Sequence, residues 1–339
     1  MKDLYSLQGK TIGIIYTYEG EDAPGFSHYH FWKSDIISNW LLAVQKLHCR
    51  PFILDVRTFV EKAIAQTLPH LDFVLNLNCG GCELSPMALV PSICAFFQVP
   101  CIPCNSNTIL DSENKLVSNL IAQSSGLQVP QNLPYDNPNG IFRPLNLGSS
   151  IGVKRGPIVH SDIEGLYQEF IPGYDITTPI IYNPLTNRMD FMPTVLYLSK
   201  DHNPDWYLGE ENKETRRGFE RKTILSLSQA LREKYIDFIS NTSITTFCRI
   251  DARIKCDSSE NLDIMLSKPL LPEDVYFVEL NSMPTVWINN AFSHSYSEIP
   301  LNHSLYTYVE SIKSTFGECD LYTFLLSLSM LSFYNHVKK

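Results

Sequence analysis

Tyr276-Phe-Val-Glu-Leu-Asn-Ser-Met-Pro284, read with Cys248-Arg-Ile-Asp-Ala-Arg253 upstream, decides how this chain is understood. The first stretch is an apolar strand ending on Glu279, Leu280 and Asn281. Side chains alternate across a strand, so Glu279 and Asn281 point the same way. Asp251 lies in a second strand-like run, residues 247–254. Two carboxylates and an amide oxygen on neighbouring strands make a hard-oxygen site. Such a site suits magnesium shared with phosphate oxygens, not zinc. Each residue alone fits the wet face of a half-buried strand equally well. The three together, with Arg249 just before Asp251 and Met283-Pro284 closing the strand, favour a site.

Upstream of this pair the chain alternates apolar strand patterns (11–16, 51–55, 71–77, 99–102) with helical ones (35–47, 60–68, 88–97). Short connections between them predict a parallel sheet with helices on its faces. A helix over 111–124 follows, then strands near 127, before Pro144 and over 168–171. Between the last two lies a Gly148-Ser-Ser-Ile-Gly152 loop. Later strands are expected around 180 and over 194–199, 246–254 and 276–281, with helices over 222–240 and 306–314. The apolar run 322–334 reads as a buried C-terminal helix, too short and serine-rich to span a bilayer. The polar segments 201–222 and 255–273 lack periodicity and read as lids or insertions, with 257–274 a hairpin extension.

With 339 residues, 44% hydrophobic and 19% charged, the chain has the composition of a globular protein. A net charge of −9 without a basic stripe argues against nucleic acid as partner. No signal-peptide core follows Met1 and no membrane span is read, so a cytoplasmic location is expected. Nine cysteines suggest free thiols. Cys79/Cys82 and Cys101/Cys104 are spaced as in a four-cysteine zinc site, yet both pairs border expected strands. Small thiols packed at sheet edges are the preferred reading, with no catalytic thiol and no required zinc.

Arg-Ile-Asp followed by Val-Glu-Leu-Asn-Ser-Met-Pro resembles the metal-binding end of the ATP-grasp ligases, closest to the D-alanine–D-alanine ligase branch. Other segments match in the same order. Asn114-Lys115-Leu116 resembles that family's Asp-Lys-Leu helix, and Gly126 to Pro130 its following strand. Phe142-Arg-Pro-Leu-Asn-Leu-Gly-Ser-Ser-Ile-Gly-Val153 resembles its phosphate-covering loop, and Gln168-Glu-Phe-Ile-Pro-Gly-Tyr-Asp175 its adenine hinge. The implied fold is α/β, with α+β character in the ATP-grasp part. A parallel-sheet substrate domain (1–106) precedes a central subdomain (107–178) and a C-terminal subdomain carrying the metal site (179–339).

The resemblance implies ATP and two magnesium ions. Asp251, Glu279 and Asn281 would hold the metals. Lys115, Arg143 and Ser150 would meet the phosphates, although Arg143 stands where the family has lysine. Glu169, Phe170 and Ile171 would line adenine, and Asp175 would take the ribose. Arg249, Ser149 and Lys213 would serve catalysis, Arg249 by stabilising an acyl-phosphate or oxyanion. A structural ion pair between Arg249 and Glu279 is the bland alternative.

The substrate half departs from the family. Its Ser-x-Glu signature is replaced by Tyr18 to Trp32, where Glu19, Glu21, His28 and His30 are candidates for an amino group. A solvated loop is the other reading of that segment. Asn76 to Ser85 and Trp206 to Arg217 replace two further motifs, and Thr285 stands for a glycine. The expected substrate is thus a small amino or carboxylic acid, with D-alanine a poor one. The expected acceptor is an amine or the thiol of an acyl-carrier protein, as in the glutamate–carrier-protein ligases of the butirosin type in antibiotic biosynthesis. Lys213, Arg216, Arg217, Arg221 and Lys222 form a basic run that would suit an acidic carrier, or equally ATP phosphates or a substrate carboxylate. D-alanine–D-alanine-type dipeptide ligation is the alternative. A homodimer is compatible with all of these.

Overall fold

The computed structural model describes residues 4–17, 34–78, 87–158, 162–215, 217–224, 226–256, 262–287 and 290–336. Strands β1 (Thr11–Tyr16), β2 (Arg50–Asp55), β3 (Phe73–Leu77) and β4 (Cys101–Ile102) form a parallel sheet in the order β2-β1-β3-β4. Helices α1 (Ser34–Lys46), α2 (Val56–Ile64) and α3 (Leu89–Phe96) alternate with them. All five residues of β3 are buried, as a parallel strand covered on both faces requires. α2 begins earlier than periodicity suggests because Asp55 caps it, accepting from the Thr58 amide at 2.9 Å.

The helix expected over 111–124 is two helices, α4 (Ser106–Glu113) and α5 (Lys115–Ser124). Asn114 between them is extended (φ −82°, ψ 111°), and its side chain accepts from the amides of Leu116 and Val117, both at 3.1 Å. A side chain that caps a new helix interrupts the old one. Strands β5 (Gly140–Pro144), β6 (Lys154–Arg155) and β7 (Gly165–Glu169) then form a small antiparallel sheet, order β6-β5-β7.

The largest sheet is antiparallel. It contains β8 (Gly173–Asn183), β9 (Arg188–Phe191), β10 (Thr194–Ser199), β11 (Phe219–Ile224), β12 (Phe247–Lys255) and β13 (Val275–Asn281). The order is β11-β10-β8-β12-β13, with β9 paired to β8. Helices α6 (Glu210–Thr215), α7 (Gln229–Asn241), α8 (Leu262–Leu266), α9 (Ala291–Ser297), α10 (Ser304–Phe316) and α11 (Leu321–His336) complete the chain. Two expectations fail here. The helix expected from 222 starts at Gln229 behind a Ser228 cap, and residues 219–224 instead pair with β10. Three consecutive charges, Glu220-Arg221-Lys222, hide any strand alternation, and only the pairing with β10 makes this segment a strand. The expected hairpin extension is instead α8 and a 3-10 turn at Pro272–Asp274, with 257–261 outside the described residues.

α11 packs on the first sheet, where its buried leucines join Leu7, Ile12 and Phe73. Tyr322 meets Trp40 edge-on, ring centroids 5.0 Å apart. The first core is therefore built from both ends of the chain. Among the described residues no helix is long and apolar enough to cross a membrane.

Gly173 opens β8 at φ +142°, and a Cβ there would lie 1.8 Å from the Ile254 carbonyl oxygen. The nearest atoms are all backbone of residues 254–256, which cannot swing aside as a side chain would. Gly173→Ala should destabilise the protein by at least about 3 kcal/mol. Thermal unfolding checks this, and a melting temperature within a degree or two of wild type would contradict it.

Candidate active site

The register of β12 and β13 sets Arg249 opposite Asn281 and Asp251 opposite Glu279. Like charges facing each other across strands repel. The surroundings supply the counter-charge. Asp251 Oδ1 accepts from Thr177 Oγ1 at 2.7 Å. Its Oδ2 accepts from Arg249 Nη2 at 2.9 Å and from Asn281 Nδ2 at 3.0 Å. Arg249 therefore pairs with Asp251, not with Glu279 as the bland alternative supposed. Glu279 lies 3.6 Å from Lys115 Nζ. Burial pushes its carboxyl up, but Lys115, Lys213, Arg143 and Arg249 outweigh that and hold it at about 2. For Asp251 burial wins over Arg249, and its pKa is raised. Burial depresses both Lys115 and Lys213.

The cations come from separate elements. Lys115 is the first residue of α5, 5% exposed, and also donates to the Leu147 carbonyl at 2.7 Å. Arg143 on β5 is buried and donates to Gln168 Oε1 at 3.2 Å and the Val278 carbonyl at 2.5 Å. Lys213 on α6 donates to Ser150 Oγ at 2.8 Å, and Ser150 Oγ donates to the Leu208 carbonyl at 2.9 Å. Ser149 and Ser150 have φ of 56° and 62°, and the Ile151 amide donates to the Gly148 carbonyl at 3.0 Å. This is a tight turn with two left-handed residues, followed by a second turn through Gly152 at φ 70°.

At the hinge, Glu169 Oε1 accepts from the Gln131 amide at 3.0 Å. The Phe170 ring has the guanidinium of Arg155 at 3.9 Å and that of Arg253 at 4.8 Å. The Ile171 carbonyl accepts from Arg253 Nε. Asp175 accepts from the Leu208 amide at 2.7 Å and from Arg253 Nη1 at 2.8 Å. Both of its oxygens are engaged by the protein, so a ribose hydroxyl would have to share them.

Every residue assigned above to catalysis, nucleotide or metal lines one cleft of about 750 Å³. The basic run of the lid is split. Lys213 and Arg221 line this cleft, Arg217 and Lys222 are exposed, and Arg216 lies outside the described residues. Glu19, Glu21, His28, His30, Cys79 and Cys82 also lie outside them. Cys101 and Cys104 are buried, and burial pushes the Cys104 thiol up to about 12.

Among the described residues no three His, Cys, Asp or Glu side chains converge as metal ligands. A metal here would rest on two carboxylates and the Asn281 amide. That donor set fits magnesium, which takes few protein oxygens and keeps water and phosphate for the rest.

Several cleft residues escaped the sequence reading: Glu113, Thr177, Tyr197 and Arg253. Arg253 was open to the alternation rule, standing two residues beyond Asp251. Glu113 was hidden by the continuous helix expected there. It accepts from both the amide and the hydroxyl of Ser282, each at 3.2 Å, directly after Asn281. Burial first, and the Glu279 charge second, push it up to about 7.

The architecture is that of the ATP-grasp fold. It is similar to the D-alanine–D-alanine ligase of Bacillus anthracis complexed with ATP (TM-score 0.63, 12% identity, 98% of this chain and 100% of that one). It is also similar to the VanG D-Ala:D-Ser ligase of Enterococcus faecalis (TM-score 0.57, 13% identity, 96% and 100%). No protein-family model matches the sequence, and no curated protein matches it.

Glu113 is raised from 4.5 to about 7, so the folded state holds a proton that the unfolded state has released. Its contribution is full below about pH 4.5 and is lost as pH rises through about 7. Glu113→Gln should remove a pH-dependent component on the order of 2–3 kcal/mol from that window. Denaturant unfolding at stepped pH checks this, and parallel wild-type and variant profiles would contradict it.

Proposed function

We propose that this chain is an ATP-dependent, ADP-forming ligase that activates the carboxylate of a small amino or carboxylic acid and passes it to a nucleophile. The observation that carries this reading is the half-buried Asp251–Glu279 pair ringed by Lys115, Arg143, Lys213 and Arg249 in one cleft. Carboxylates facing each other with several cations at close range suit a metal-bound polyphosphate better than a neutral ligand.

In this reading Asp251, Glu279 and Asn281 hold two magnesium ions, which when bound neutralise charge on the transferring phosphoryl group. Lys115 and Arg143 orient the phosphates from one side. The turn at Gly148 to Gly152 covers them, and Lys213, fastened to Ser150, closes from the other. Arg249 meets the developing acyl oxyanion. Glu169, Phe170 and Ile171 take the adenine, with Asp175 beside the ribose. Catalysis of this kind consists mainly of positioning and charge stabilisation.

The acceptor is read as a small-molecule amine. Arg217 and Lys222 are the members of the basic run that the described structure leaves exposed, a weak basis for an acidic carrier protein. The carrier-thiol reading, like D-alanine–D-alanine ligation, remains a distinct outcome of one experiment: ADP and phosphate release across a panel of amino acids, with and without carrier protein.

Two results are expected. Glu279→Gln should lower ADP-forming turnover by at least about a hundredfold, roughly 3 kcal/mol of transition-state stabilisation, with an unchanged circular dichroism spectrum. Wild-type-like turnover at saturating magnesium would remove Glu279 from the metal site. D-Alanine should be a poor substrate, because the segments that replace the family's substrate motifs differ throughout. Efficient D-alanyl-D-alanine formation in a coupled assay would refute that.

A further inference from the structure

Arg221 on β11 stands in register with Tyr197 on β10 and lines the cleft. Its Nε is buried without a hydrogen-bond partner, and so is Nε of Arg249. Of the other cleft arginines, Arg249 pairs with Asp251 and Arg253 with Asp175, while Arg143 donates to Gln168 Oε1 and the Val278 carbonyl. Among the described residues Arg221 has no ion-pair partner. Its guanidinium lies against the rings of Phe219, at 4.8 Å, and Tyr197, at 5.6 Å. Burial pushes the Tyr197 hydroxyl up while the charges of Arg249 and Arg221 both oppose it, and all three residues line the cleft. Ala291 packs in one apolar cluster with Tyr197 and Phe219 and also lines the cleft. The hinge residues Phe170 and Ile171 lie on other elements, behind Arg253.

A half-buried guanidinium beside aromatic rings with an unused buried donor is costly unless a ligand satisfies it. Its planar fork matches a carboxylate. The inference rests on the reading above, in which Arg249 meets the carboxylate being activated. An acid so placed would extend past the rings of Tyr197 and Phe219 towards Arg221. We infer that the acid substrate is a dianion, and that Arg221 binds its second carboxylate, the one that is not activated.

The test is calorimetric binding of matched acids to the full chain, with magnesium and a non-hydrolysable ATP analogue present. Glutarate is compared with glutaramate, and glutamate with glutamine, so that each pair differs only in the second carboxylate. The dianionic member of at least one pair should bind at least tenfold tighter. Arg221→Gln should erase that preference without changing affinity for the ATP analogue, and Arg221→Lys should restore part of it. Equal binding within both pairs by wild type, no binding of any of the acids, or a preference that survives Arg221→Gln would overturn the inference. Loss of ATP-analogue affinity in Arg221→Gln would overturn it by assigning Arg221 to the phosphates. Arg221-dependent binding of an amino-acid acceptor, with the acids bound equally, would overturn it by moving the carboxylate to the acceptor. If Arg221→Gln does not fold, the wild-type comparison and Arg221→Lys still decide. Failure of the ligase reading itself shows separately, as no ADP released from ATP with any acid.

Discussion

Glu279 keeps its charge at the bottom of a cleft, opposite a second carboxylate on the next strand, and the rest of the architecture is arranged around that fact. Burial alone would neutralise it. Lys115 at the start of a helix, Arg143 on the small sheet, Lys213 on the lid helix and Arg249 on the neighbouring strand prevent this. These four cations arrive from four different elements, so the charge balance exists only when both antiparallel sheets and the intervening helices are assembled. Removing one member leaves the others buried and unpaired, a large cost in any fold. The break at Asn114 belongs to the same arrangement. It places Glu113 and Lys115 on separate helices while both reach the cleft.

A second organising contact is Arg253. It donates to the carbonyls of Ile171, Gly173, Pro204 and Trp206 and to Asp175. One side chain thereby joins the hinge to the segment that leads into the lid helix. The Leu208 amide on Asp175, and Ser150 bridging Leu208 and Lys213, extend the same connection. The segment leading into α6 is thus fastened across the cleft by these contacts, which also fix the orientation of Lys213.

Much of this was legible in the sequence, because the relevant signals are local. Alternation places Glu279 and Asn281 on one side of a strand, and the strand–helix rhythm before residue 106 gives the parallel sheet. Other features are set by non-local pairing. Residues 219–224 look too charged for a strand until β10 lies beside them. Glu113 becomes a cleft residue only because a cap breaks the helix, and Arg221 only because its strand sits at the sheet edge. The position of α11 against the first sheet, hundreds of residues away in sequence, follows from burying an unbroken apolar helix, which hydrophobicity demands without specifying where.

The central claim is that the acid–cation cluster exists to hold a metal-bound polyphosphate. The most direct measurement is calorimetric titration with a non-hydrolysable ATP analogue, with magnesium and with chelator, on wild type and on Asp251→Asn. The account predicts saturable binding to wild type that weakens at least about tenfold in chelator, and loss of that magnesium dependence in Asp251→Asn. No binding at millimolar analogue, or binding indifferent to both magnesium and the substitution, would contradict it.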